Sequence, residues 1–65
     1  MKEYQTRVIE EKRALDENRA RLIGFMATAD FDALPKDERR RMQKQDDVMR
    51  QYSEILGERI ANFSA

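Results

Sequence analysis

The 65-residue chain has no cysteine, no histidine and no tryptophan, and only one proline and two glycines. Without thiols, neither a disulfide framework nor a thiolate metal site can rescue so short a fold. Without imidazole, the commonest general base and the commonest metal ligand are both missing. Long apolar runs are missing too, and the opening MKEYQTRV turns charged at once instead of leading into a signal peptide. Thirteen basic residues balance thirteen acidic ones, so no overall field draws the chain to DNA or to an acidic membrane. The expectation is a cytoplasmic protein with neither DNA nor membrane as partner, in which any anion site is local.

What is present is 40% charged and 40% hydrophobic residues, the composition of long amphipathic helices. A heptad template gives one core position to Val8, Leu15 and Leu22 and a second to Tyr4 and Phe25, the second also holding Glu11 and Asn18. Ile9, Ile23, Ala20 and Ala27 form a flanking edge, and the interior Gly24 suggests close approach of another backbone. The stretch TADFDALPKDE breaks the period. Asp30 is suited to cap a turn holding Phe31, Pro35 to begin the next helix, and Phe31 and Leu34 to plug the corner. The period then resumes with Met42, Met49, Leu56 and Phe63 at one position and Gln45 and Tyr52 at its partner, flanked by Val48 and Ile55 on one side and Ile60 on the other.

These signals predict an all-α fold in one domain over residues 1–65: a helix over about 3–28, a corner at 29–34 and a helix over about 35–63. The result is an antiparallel two-helix hairpin. Two helices alone bury one stripe each, which is thin cover for a chain of this size. The edges Ile9/Ile23 and Val48/Ile55 supply further burial if copies pack together, so a homo-oligomeric helical bundle is expected.

Candidate chemistry is sparse. Asp30-x-Asp32 is not a calcium loop, because Gly is missing at the sixth position and Arg41 stands at the twelfth. No phosphate loop, catalytic triad or nucleophile elbow occurs, so neither an enzyme nor a cofactor or metal is expected. The triplet Arg39-Arg40-Arg41 cannot share a helix face at ~100° per residue. Arg40 points outward into solvent, whereas Arg39 and Arg41 flank the Met42/Gln45 seam on opposite sides. On the first helix, Tyr4, Arg7, Glu11 and Lys12 fall on neighbouring turns. A ring beside Lys and Arg suits a nucleotide, whose base stacks and whose phosphate pairs with the cations. The same residues equally suit a core stripe with ordinary surface ion pairs, and spacing does not decide between the two.

The segments EYQTRVIEEKRALDENRARL, FDALPKDER and QKQDDVMRQYSEILGERI, which span nearly the whole chain, resemble a phage helical-hairpin family, the anti-CBASS and anti-Thoeris sponges for cyclic nucleotides. The resemblance implies a homohexamer of hairpins holding cyclic dinucleotides between protomers, with separate pockets for cyclic trinucleotides in some members. It also implies sequestration without turnover in the infected bacterial cell, which keeps the messenger from its CBASS effector. In this sequence the family's pocket aromatic looks like Tyr4, and its helix-borne lysine, in VIEEK, looks like Lys12. Arg7 joins them by proximity, and Arg39 or Arg41 is expected to complete an intersubunit pocket. Compared with that family, the chain is expected to be without the short N-terminal helix of some members and the extra C-terminal domain of the Thoeris-type sponges. The competing reading is a structural coiled-coil assembly or adaptor whose apolar edges dock another protein.

Overall fold

The computed structural model describes residues 2–63, leaving residues 1, 64 and 65 of the expected domain outside the described residues. Helix α1 runs Glu3–Met26, a single turn α2 runs Ala29–Asp32, and α3 runs Lys36–Ala61. At 1.5 Å per residue the long helices measure ~36 and ~39 Å, and the molecule is a rod of 49 × 14 × 13 Å. Lys12 meets Ser53, Arg19 meets Asp46 and the Tyr4 ring meets that of Phe63. Numbers rise on α1 as they fall on α3, so the two helices are antiparallel.

The corner is made by Thr28. Its hydroxyl donates to the carbonyl of Phe25 at 2.6 Å and accepts from the backbone N–H of Phe31 at 3.3 Å, closing α1 and opening α2 with one side chain. This corrects the expectation that Asp30 is the cap. Thr28 has the extended backbone that capping requires, while Asp30 lies inside the turn. Phe31 is buried as expected and stands edge-on to Phe25, with ring centroids 6.3 Å apart. Pro35 occupies the cap position of α3 rather than its first turn, and Asp37 and Glu38 follow it where the helix dipole favours carboxylates.

The seam between α1 and α3 differs from the heptad template in its second position. Val8, Leu15 and Leu22 face α3 as expected, but their partners are Gln5, Lys12, Arg19 and Met26 rather than Tyr4, Glu11, Asn18 and Phe25. On α3 the seam runs through Met42, Asp46, Met49, Ser53, Leu56 and Ile60, with Phe63 just past the helix end, leaving Gln45 and Tyr52 outside. Both shifts have the same cause. Lys12 and Arg19 cover the seam with their aliphatic stems and bring their charged ends to partners on α3, so positions that score as polar behave as core. Only Val8, Phe31 and Leu56 are buried apolar side chains among the described residues.

The displaced apolar residues gather on one side. Counting ~100° per residue from the seam, Tyr4, Glu11, Asn18 and Phe25 of α1 turn off in one sense, as do Gln45, Val48, Tyr52 and Ile55 of α3. Because the helices are antiparallel, equal senses lie on the same face of the hairpin. From that face the Tyr4 ring reaches the end of the seam, edge-on to Phe63 with centroids 5.9 Å apart. Outside its own helix turn, Gly24 has no atom of the described residues within 4 Å of where a Cβ would stand, so no other described backbone accounts for it.

Candidate functional site

Two polar layers cross the seam. In the first, the Lys12 ammonium donates to Asp16 Oδ2 at 2.8 Å and to Ser53 Oγ at 3.1 Å, while the Ser53 hydroxyl donates to Asp16 Oδ1 at 2.6 Å. The hydrogen bond from Lys12, reinforced by that from Ser53, holds the Asp16 carboxyl below the usual carboxylate range. Gly57 lies opposite Lys12, where a Cβ would stand in contact with Lys12 Cε at 3.4 Å. An ammonium has three donors, and two are engaged, leaving one for an incoming oxygen. In the second layer Arg19 Nε donates to Asp46 Oδ1 at 2.7 Å, with both side chains about three-quarters buried. Among the described residues no buried side-chain nitrogen or oxygen lacks a partner.

The expected site residues are spread along the rod. Tyr4 is half exposed at the open end, on the aromatic face. Arg7, one turn further, is exposed and paired with Glu3. Lys12 is turned into the seam instead of sharing the outward side with Tyr4, Arg7 and Glu11, and its ammonium sits beside Asp16 and Ser53. Arg39 and Arg41 stand near the corner end. Arg39 Nε donates to the carbonyl of Leu34 at 3.2 Å, and Arg41 Nε to Glu38 Oε1 at 2.9 Å. Arg40 is exposed. One chain therefore brings Tyr4 and Arg7 together, sets Lys12 in the middle, and leaves the two arginines on the order of 30 Å from Tyr4. Sequence reasoning missed Asp16, Ser53, Arg19 and Asp46. Their signal is the unbroken 3-4 spacing of Gln5, Val8, Lys12, Leu15, Arg19, Leu22 and Met26, which runs through the charged positions.

Among the described residues no group of three or more acidic side chains is arranged to hold a metal ion, and no helix is long and apolar enough to cross a membrane. Tyr4 with a neighbouring guanidinium can stack a ring and neutralise an oxyanion, while the Lys12 ammonium, 8 residues further along α1 and turned into the seam, keeps one of its three donors for an oxygen.

Against this geometry, the family model for Sequestin matches residues 2–62. The chain belongs to the Sequestin family. The match takes in both long helices and the corner, so it covers the open aromatic face and both polar layers of this Sequestin hairpin. No curated protein and no solved structure matches the chain.

Proposed function

We propose that this Sequestin-family hairpin binds and sequesters cyclic oligonucleotide second messengers, cyclic dinucleotides first and cyclic trinucleotides second, without cleaving them. Membership of a family named for sequestration, over residues 2–62, is the observation that carries the reading. The resemblance to phage anti-CBASS sponges supplies the ligand class, the hexameric assembly and the setting: a bacterial host cell in which the messenger is kept from its effector. Tyr4 stacks on a base, and Arg7 and the third donor of Lys12 meet phosphate oxygens. Arg39 or Arg41 is contributed by another protomer, since within one chain both lie at the far end of the rod.

The energetics allow tight binding. Base stacking contributes ~1 to 3 kcal/mol per base, and each charge-assisted hydrogen bond ~1.5 to 3. Two stacked bases and several such bonds approach the ~12 kcal/mol of a nanomolar complex after ordering costs. Two phosphate charges need no strongly basic protein, which agrees with zero net charge.

Calorimetry with a panel of 3′,3′-linked cyclic di- and trinucleotides tests the proposal. Binding is expected in the nanomolar to micromolar range, with intact ligand recovered after heat denaturation. Tyr4→Ala or Lys12→Ala should remove it, the second while leaving the assembly intact. Failure of every member of the panel to bind at tens of micromolar, or recovery of linear products, overturns it. A second reading, a coiled-coil adaptor for another protein, is favoured by the open stripe of Val48, Tyr52 and Ile55.

A further inference from the structure

Helix α3 carries two heptad seams. The inner one faces α1. The outer one is Arg41, Gln45, Val48, Tyr52, Ile55 and Arg59, spaced 4-3-4-3-4 along the helix, as in a coiled coil. We propose that this outer stripe is where a second copy of the chain docks, its own α3 crossing antiparallel near Tyr52. The inference rests on the oligomeric part of the function proposed above and assigns the face on which the oligomer is built.

Three observations carry it. The first is asymmetry: of the six large hydrophobic residues left exposed among the described residues, Tyr4, Phe25, Val48, Tyr52 and Ile55 share one face, and Ile23 is alone on the other. The second is area. Those five are 37% to 55% exposed, and side chains of their size present ~150 to 250 Å² each at the aromatic end of the range. The patch therefore amounts to several hundred Å² per copy. With its rim it approaches the ~800 Å² per partner of a stable interface, while a monomer's own largest patch is ~300 to 600 Å².

The third observation is the stripe's layout, apolar in the middle and basic at both ends. Val48, Tyr52 and Ile55 form the dry centre, and Gln45, Arg41 and Arg59 the polar rim, the anatomy of a protein interface. A two-fold axis near Tyr52 superposes centre on centre and leaves the arginine ends in solvent as the helices diverge. An axis at Tyr52 sets Gln45 opposite Arg59 of the second copy, and Arg41 lies beyond the contact, paired with Glu38 of its own chain at 2.9 Å.

Sedimentation and light scattering of the nucleotide-free protein test the assignment, with helicity followed by circular dichroism. Val48→Asp with Ile55→Asp is expected to shift dissociation to at least about a hundredfold higher concentration, and Ile23→Asp to leave it nearly unchanged. Because the chain has no cysteine, Tyr52→Cys gives an independent measurement. Oxidation should yield a covalent dimer, whereas Gln43→Cys, on the opposite face, should not. An oligomer broken by Ile23→Asp but indifferent to the paired aspartates overturns the assignment and leaves the oligomeric reading standing. A folded wild-type monomer at all concentrations overturns both.

Discussion

The two stripes of α3 use opposite means to reach the same spacing. The inner stripe alternates apolar residues with Asp46 and Ser53, each tied to a cation on α1, so its polar groups are satisfied within the chain. The outer stripe keeps Val48, Tyr52 and Ile55 bare. A stripe with internal partners can carry charge because the partner is built in, whereas a stripe awaiting a partner does better to stay apolar in its centre.

Substitutions sharpen that contrast. The largest effect is expected from Leu56→Ala, which empties the most buried position of the inner stripe. A loss of about 2 to 5 kcal/mol is expected, enough to abolish cooperative melting in a chain of this size. The matching change on the outer stripe, Ile55→Ala, should cost far less in dissociated protein, which urea titration at high dilution measures. Next comes Asp46→Ala, which leaves the Arg19 guanidinium without its partner in a half-closed site; about 1 to 2 kcal/mol is expected to be lost. Asp46→Asn should recover part of it.

Gly24→Ala should act in the other direction. Nothing lies within 4 Å of the added methyl group, so helix propensity alone operates and stability should rise by up to ~1 kcal/mol. A loss instead would reveal a neighbouring chain against that turn.

The smallest effect is the acid response of the first polar layer. The folded Asp16 carboxyl binds its proton less readily than the unfolded one, so its contribution is complete above the unfolded carboxyl range, ~3.9, and is lost as pH falls through the lower folded value. Asp16→Asn should flatten the fall in melting temperature in that acid range. Some slope should persist, because Asp47, held low by its hydrogen bond from Arg50, titrates in the same sense.

Much of the fold was legible in the sequence. Val8, Leu15, Leu22, Met42, Met49 and Leu56 repeat every seven residues, and the break at TADFDALP marks the corner, because apolar periodicity and a proline are local signals. The second seam position was not legible. Apolar patterning prefers Tyr4 and Phe25 to Gln5, Lys12 and Arg19, and only the three-dimensional partners Ser53 and Asp46 reverse that preference. For the same reason Lys12 could be nominated as a ligand group but not placed. Its spacing from Tyr4 says nothing of an aspartate and a serine waiting beside it and across the seam.

The two polar layers also fix how the helices may slide. If α3 moved by seven residues one way, the Lys12 ammonium would face Ile60; moved the other way, Arg19 would face Arg39. The first misalignment strands a charge against hydrocarbon and the second sets like charges together, so each costs more than the apolar contacts it preserves. A coiled pair with only leucines in its seam would tolerate either slip, whereas this hairpin admits one alignment.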